Sequence, residues 1–204
     1  MTPEETPGSG IGPDATRPKI VLNEVVIDTR PIYQGRMISL RSDRVRLPDG
    51  SESRRDVVEH RGAVTIVPML PDGQVVMVRQ FRLAAGSILL ELPAGTRDPD
   101  EDAEVCARRE LTEETGYRAG RMEKLFEAFM APGYSSELIH FYLAQDLDLA
   151  EQATDEDEFV EVVQLPLSEA IRQASEGELR DAKTIAGLLV AAQRLGHLRP
   201  DEAE

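Results

Sequence analysis

The sequence contains one cysteine, no tryptophan and only 4% aromatic residues. A single Cys106 excludes an internal disulfide framework and a multi-cysteine zinc site. No apolar run approaches the roughly 20 residues that a membrane-spanning helix needs, and the first residues hold no apolar segment typical of a secretory signal. These absences predict a cytoplasmic globular protein that does not associate with a membrane.

Basic residues are also scarce. The chain has 23 Lys and Arg and 38 Asp and Glu, which gives a formal net charge of −15. This balance argues against a nucleic-acid partner bound through phosphate neutralisation. A chain of 204 residues with 41% hydrophobic residues can still bury a core. If such an acidic protein handles an anionic substrate, metal ions or placed arginines must neutralise charge locally.

The hydrophobic pattern predicts a mixed α+β fold. We expect a disordered tail at 1–18, an N-terminal antiparallel β subdomain at 19–60, the main domain at 61–198 and a short tail at 199–204. Predicted strands cover residues 20–27, 37–47, 55–59, 63–70, 74–81, 88–92, 124–130, 138–144 and 160–165. The turn at 71–73 predicts a hairpin between the fourth and fifth strands. Predicted helices cover 100–115, opened by Asp98-Pro99 or Asp100, then 168–177 with Ser168 as its cap, and 181–195.

The first predicted helix carries carboxylates on its inward face. With 100° per residue, Cys106, Ala107 and Leu111 form an apolar stripe, and Glu110 and Glu114 fall inside it. Burying an ionised carboxylate without a partner costs several kcal/mol. Glu113 adds a third like charge at the i, i+3, i+4 spacing, so a hard divalent cation such as Mg²⁺ is expected there. The alternative is a solvated acidic helix end.

These residues belong to one continuous pattern. It consists of Gly95, five residues, Glu101, seven residues and then RELTEETGY at 109–117. The pattern resembles the Nudix box of the Nudix hydrolase superfamily, whose members cleave nucleoside diphosphates linked to another group. This resemblance implies an α/β/α sandwich and a loop–helix–loop that holds Mg²⁺, with Mn²⁺ as a possible substitute.

Several weaker sequence features indicate the same subgroup of this superfamily. Pro132 lies fifteen residues beyond Tyr117, and the segments RRDVVEHRGAV (54–64), RQFR (79–82), ELPAG (91–95) and EFVEV (158–162) are similar to ADP-ribose pyrophosphatases. The similarity covers roughly residues 20–195 and implies Mg²⁺-dependent hydrolysis of ADP-ribose to AMP and ribose 5-phosphate. Two alternatives stay open: hydrolysis of GDP-mannose or another nucleoside diphosphate sugar, and a Nudix-fold sensor that binds its ligand without cleavage.

The resemblance also implies roles at the metal. Glu110, Glu114 and the carbonyl of Ala94 would be ligands, and Glu113 would be a ligand or a water-mediated neighbour. Arg109 would hold the helix and its loop together by pairing with Glu101.

A general base is expected in the acidic loop 154–158. The resemblance favours Glu158 over Glu156, as base or as an extra metal ligand, and a solvated acidic loop is the alternative.

Substrate contacts are implied on four further segments. Arg82 would pair with the diphosphate or with the terminal ribose phosphate side, and Glu91 would reach substrate or pair within the fold. Pro132 and Gly133 would shape the loop that admits the ribose. Arg54 and Asp56, at the third predicted strand, would lie near the adenine of a substrate bound to the partner subunit. The reason is that the resembled enzymes are homodimers with exchanged N-terminal strands. For Arg54, Asp56 and Arg82 a surface ion pair is the competing interpretation.

Overall fold

The computed structural model describes residues 22–153 and 159–198. The predicted tail at 1–18, the tail at 199–204 and the loop with Glu156 and Glu158 lie outside the described residues.

The α+β class is confirmed. The strands are β1 (Val25–Gln34), β2 (Ile38–Arg46), β3 (Glu52–His60), β4 (Ala63–Pro68), β5 (Gln74–Arg82), β6 (Ser87–Glu91), β7 (Ala94–Thr96), β8 (Tyr117–Phe129), β9 (Leu138–Leu149) and β10 (Val160–Pro166), and the helices are α1 (Ala103–Thr115), α2 (Leu167–Ser175) and α3 (Ala182–Arg194).

The N-terminal strands β1, β2 and β3 form a separate antiparallel sheet in that order. The expected strand at 20–27 is wrong in its bounds, because β1 begins at Val25 and continues past Pro31 to Gln34. A register shift between Pro31 and Tyr33 lets the proline sit at an irregularity of this edge strand, where the loss of one N–H donor is tolerated.

The main sheet has the order β7-β4-β9-β8 and is covered by helices on both faces. On β4, Val64 and Ile66 pack against α1 residues such as Leu111, whereas Val67 packs with Leu188 of α3. Successive strand residues point to opposite faces, so one strand contributes to both cores. The α/β/α layering around this sheet is therefore confirmed.

The predicted hairpin between the fourth and fifth strands is corrected. The turn forms, with Gly73 at φ +83° and the Leu70 amide donating to the Gln74 carbonyl at 2.9 Å. Only one bridge, Met69 to Val75, joins the two strands. Beyond it, β4 pairs with β7 and β9, while β5 pairs with β10 and β6. Both strands are buried on both faces at their centres, so each needs two neighbours of its own.

Capping residues explain where the helices begin. The predicted start of α1 near Asp98 or Asp100 is wrong, because Asp102 is the N-cap and accepts from the amides of Glu104 at 2.9 Å and Val105 at 3.3 Å. Gly116 ends α1 at φ +70°, as predicted. The predicted cap Ser168 lies inside α2, which follows Pro166 directly. Across the described part of the chain, each helix is too short or too polar to span a membrane.

Candidate functional site

The inward face of α1 carries the two carboxylates that helical spacing placed there. Glu110 is 9% exposed and Glu114 is 2% exposed, alongside the fully buried Cys106, Ala107 and Leu111. Burial strongly disfavours an ionised group unless partners stabilise it. The site is therefore built around two carboxylates that the fold holds away from bulk water.

Both carboxylates meet the short strand β7. The Ala94 amide donates to Glu114 Oε2 at 3.0 Å. At the next residue, a Cβ on Gly95 would lie 1.9 Å from the carboxylate carbon of Glu110. Any side chain at 95 would thus displace the Glu110 carboxylate, so glycine is required for this close approach.

Arg109 connects the carboxylates of α1 with the loop that precedes it. Its guanidinium donates to both oxygens of Glu101 at 3.0 Å, to Glu110 Oε1 at 2.7 Å and to Glu113 Oε2 at 2.9 Å. The hydrogen bond from Arg109 lowers the pKa of Glu101 to about 2, and the same bond raises the pKa of Arg109. Arg109 and Glu101 therefore fasten the helix to its loop, the arrangement expected from the sequence.

Cys106 lies in the same region, but its thiol is not activated as a nucleophile. Its side chain is buried, and Arg109 Nη2 donates to its sulfur at 3.4 Å. Burial first, and then Glu101 and Glu110, raise the pKa of this thiol, so it stays protonated at neutral pH.

The residues present fit a magnesium ion that is held partly by substrate. Within residues 22–153 and 159–198, no three His, Cys, Asp or Glu side chains are grouped closely enough to hold a metal by themselves. Mg²⁺ commonly takes one or two carboxylates and completes its shell with waters and substrate phosphate oxygens. Glu110 and Glu114, both against the Ala94–Gly95 backbone, supply that donor set, and the Glu110 carboxylate occupies the space that a Cβ at 95 would fill.

A second ionic cluster lies at the end of β6. Glu91 is 1% exposed and accepts two hydrogen bonds from Arg82, each at 2.8 Å. Lys183 Nζ, in the first turn of α3, donates to Glu91 Oε2 at 2.5 Å and to Asp181 Oδ2 at 2.8 Å. Burial alone raises the pKa of Glu91, but Arg82 and Lys183 outweigh it and the net pKa lies below the ordinary value. Glu91 is thus ionised and, in this structure, paired within the fold.

Part of the second cluster and the backbone of β7 line one cavity of 370 Å³. Its wall includes Ala94 and Gly95 of β7 together with Arg82 and Lys183. The negative charge of Glu114 contributes to a raised pKa of Arg82, after the larger effect of the hydrogen bonds to Glu91. The cavity therefore sets cationic donors beside the strand that the inward carboxylates contact, an arrangement suited to a diphosphate with its metal.

A separate groove of 420 Å³ gathers other predicted substrate residues. Asp56, Pro132 and Gly133 line it, with further lining by Glu24, Arg55, Val57, Tyr134, Ser135 and Ser136. The loop after Pro132 is pinned to β3, since the Val58 amide donates to the Tyr134 carbonyl at 2.8 Å. Arg54 is exposed on β3 and does not line this groove.

Sequence reasoning missed three charged side chains that line the 370 Å³ cavity: Glu137, Asp181 and Lys183. Asp181 was expected only at the start of a helix, where it indeed accepts from the Thr184 amide at 3.1 Å. Lys183 belongs to no motif, and only the tertiary packing of α3 against β4 and β9 brings it to Glu91. The sequence pattern therefore contains no signal that could have identified Lys183 as a residue of the cavity.

Comparison with known proteins gives two family matches. Residues 59–188 match the NUDIX domain, and residues 24–58 match the nucleoside diphosphate sugar hydrolase N-terminal domain. A solved structure described as an ADP compounds hydrolase superposes with a TM-score of 0.77 at 24% identity, covering 87% of this chain and 97% of that chain, which supports the fold.

Three relatives with different names are each similar to most of this chain. The methanol dehydrogenase activator of Bacillus methanolicus is 40% identical over 81% of this chain and 90% of its own. The ADP-ribose pyrophosphatase of Bacillus subtilis is 39% identical over 80% of this chain and 89% of its own. The GDP-mannose pyrophosphatase of Salmonella arizonae is 41% identical over 71% of this chain and 80% of its own.

Proposed function

This chain belongs to the NUDIX family, and on that premise we propose that it is a Mg²⁺-dependent hydrolase of nucleoside diphosphate sugars that converts ADP-ribose to AMP and ribose 5-phosphate. The observation that carries the proposal is the pair of buried carboxylates, Glu110 and Glu114, held against the Ala94–Gly95 backbone. Two neighbouring buried carboxylates repel each other, and a bound divalent cation would stabilise both.

The relatives support a nucleotide sugar as substrate. The N-terminal match supports a nucleoside diphosphate sugar, and the ADP-ribose pyrophosphatase of Bacillus subtilis favours ADP-ribose. The GDP-mannose pyrophosphatase of Salmonella arizonae makes GDP-mannose the second candidate. A sensor that binds without cleavage is disfavoured because the whole set Glu110, Glu113 and Glu114 is present on α1.

At the metal, Glu110, Glu114 and the carbonyl of Ala94 are the proposed ligands, with Glu113 as a ligand or a neighbour through water. The bound ion would supply charge neutralisation for the diphosphate and activation of the attacking water. Arg109 shares its donors among Glu101, Glu110 and Glu113, so it keeps the carboxylates in place. Glu158 is the proposed base that accepts a proton from the attacking water.

Substrate would extend from the cavity to the groove. Arg82 is the proposed phosphate contact, with Glu91 beneath it as the buried carboxylate that orients the guanidinium. Pro132, Gly133 and Asp56 already share the groove and are assigned to the ribose and adenine side.

A homodimer is proposed to complete the site. The exposed Arg54 would reach the partner's adenine, and the N-terminal sheet exposes Val26, Ile32 and Tyr33 at about half of their surface. Sedimentation equilibrium tests this assembly, and a 22.6 kDa monomer at micromolar concentration would contradict it. The cytoplasmic location remains a prediction, tested by fractionation of the source cells.

The proposed activity is tested with a substrate panel. We expect release of AMP from ADP-ribose in Mg²⁺, no turnover in EDTA and recovery on adding excess Mg²⁺ or Mn²⁺. A ratio of kcat/KM for ADP-ribose over GDP-mannose above about 10 would support the first candidate, and the inverse ratio would support the second. Full activity in EDTA would contradict the metal assignment.

A methyl group at position 95 tests the carboxylate geometry. Gly95→Ala would put its Cβ into the Glu110 carboxylate, which can swing away while the fold persists. We expect Mg²⁺ affinity and kcat/KM to fall by about 10- to 100-fold, the range for losing support of a metal ligand. Calorimetric Mg²⁺ titration and circular dichroism check this. A variant with wild-type Mg²⁺ affinity would place the ion elsewhere.

A further inference from the structure

Arg97 is a half-buried arginine that follows the last residue of β7. Within residues 22–153 and 159–198, no carboxylate forms an ion pair with its guanidinium. Instead, Nε donates at 3.0 Å to the backbone carbonyl of Glu101, and Nη2 donates to the same oxygen. A charged group that is partly removed from water and directs two donors at one carbonyl has a specific local role.

The carbonyl that Arg97 binds has no partner in the helix. The first hydrogen bond of α1 runs from the Cys106 amide to the carbonyl of the N-cap Asp102, at 3.0 Å. The Glu101 carbonyl lies one residue before this cap, outside the repeating pattern of the helix. Arg97 therefore fixes the backbone of Glu101 and leaves the Glu101 side chain available for other contacts.

The side chain of Glu101 connects this backbone contact with the inward carboxylates. It is 11% exposed, and both of its oxygens accept from Arg109 at 3.0 Å. Arg109 in turn donates to Glu110 Oε1 at 2.7 Å. A continuous series of hydrogen bonds therefore runs from Arg97 through Glu101 and Arg109 to the Glu110 carboxylate.

The loop at 97–101 requires such fastening, because its backbone is strained. Asp100 has φ +61°, a conformation that residues with a side chain rarely adopt. The Arg97 amide donates to the Gly62 carbonyl at 3.2 Å, at the junction of β3 and β4. The Arg97 side chain passes over Gly62, with Cδ 3.9 Å from the position that a Cβ would take there. Arg97 thus ties the loop to β4 with its backbone and to the start of α1 with its side chain.

We propose that Arg97 is a positioning residue for the metal site, which acts through Glu101 and Arg109 to keep the Glu110 carboxylate in place for a divalent cation. This inference rests on the proposed function. Arg97 does not line the 370 Å³ cavity, so its effect is on the metal ligand and not on a direct contact with substrate.

The test compares Arg97→Ala with Arg97→Lys and with Arg118→Ala. Lysine can still donate to the Glu101 carbonyl, whereas alanine cannot. Arg118 is a matched control, because it is an exposed arginine on β8 and no described residue forms a hydrogen bond or an ion pair with its side chain. Mg²⁺ alone is titrated by calorimetry, and the melting temperature of each apo variant shows whether it folds.

We expect Arg97→Ala to raise the Kd of Mg²⁺ about 10-fold, the effect of losing a group that supports a metal ligand. The Mg²⁺ concentration that gives half-maximal activity should rise by the same factor, while kcat at saturating Mg²⁺ changes by less than about 3-fold. Arg97→Lys should stay within about 3-fold of wild type in the Kd of Mg²⁺, and Arg118→Ala should match wild type.

A double-mutant cycle tests the route through Glu101. Glu101→Ala removes the side chain that receives the hydrogen bonds of Arg109. In that background, Arg97→Ala should raise the Kd of Mg²⁺ by less than about 2-fold, because two residues in one series of contacts are not additive.

A Kd of Mg²⁺ in Arg97→Ala equal to that of Arg118→Ala would overturn the proposal, even if the melting temperature fell, because the role would then be purely structural. An equal rise in Arg97→Lys would point to packing, and full additivity with Glu101→Ala would exclude the route. Failure of the proposed function looks different, since the wild-type protein would then bind Mg²⁺ but hydrolyse neither sugar nucleotide. A wild-type protein that does not bind Mg²⁺ would overturn both.

Discussion

Replacing Glu114 by glutamine is expected to lower kcat/KM for ADP-ribose by about 10³-fold or more, because a proposed metal ligand loses its charge at the reacting diphosphate. The fold should persist, since the glutamine side-chain oxygen can still accept from the Ala94 amide that now donates to Glu114 at 3.0 Å. Initial rates at saturating Mg²⁺ and the melting temperature of the apo protein measure the two effects separately.

Glu104→Gln is the matched control for this experiment. Glu104 lies on the same helix, but its side chain is 47% exposed and pairs with Arg108 on the surface. Its loss should leave activity within about 2-fold, because exposed ion pairs contribute little. In wild type, Mg²⁺ should raise the melting temperature by mass action, and Glu114→Gln should weaken that shift. Activity retained in Glu114→Gln, or an apo fold that collapses, would make this carboxylate structural.

The face of α1 could be predicted from sequence because helical periodicity is a local property. Cys106, Ala107 and Leu111 define the buried stripe, and Glu110 and Glu114 follow from the same angle. The need for glycine at position 95 could be predicted only through the resemblance. No feature of the neighbouring sequence indicates that a carboxylate of α1 comes within 1.9 Å of the position that a Cβ would take there.

Strand pairing was less predictable because it depends on distant residues. The turn at Gly73 is a local signal and forms, but each flanking strand pairs with more distant neighbours, such as β9 for β4 and β10 for β5. The strands β8 and β9 are also longer than expected. Their ends are polar and exposed, so alternation there does not distinguish a strand from a loop.

The cationic part of the site was predictable only in part. Arg82 was assigned through its motif, whereas Lys183 lies 101 positions later in a helix with no chemical signature. Packing of α3 on β4 and β9 places its ammonium 2.5 Å from Glu91. Such a contact is a tertiary property, fixed in part by the Leu92 amide donating to the Thr184 hydroxyl at 2.8 Å.

The acidic loop 154–158 gives the second large effect that we predict. Glu158→Gln should lower kcat for ADP-ribose by about 10²- to 10⁴-fold with little change in KM, the range for loss of a general base. Glu158 precedes Val160 by two residues in the sequence. Val160 pairs with Gln80 on β5, and the same strand carries Arg82. Steady-state rates across pH 6–9 measure kcat and KM separately.

Glu156→Gln is the control, because it makes the same change of charge two residues earlier in the same loop. It should alter kcat by less than about 5-fold, since a base must come within hydrogen-bond reach of the attacking water. A larger effect at Glu156 than at Glu158 would move the assignment by two residues. If neither substitution slows the reaction while Glu114→Gln abolishes it, the loop is a solvated acidic segment, and the proton must be accepted by a carboxylate on α1, with Glu113 as the next residue to replace.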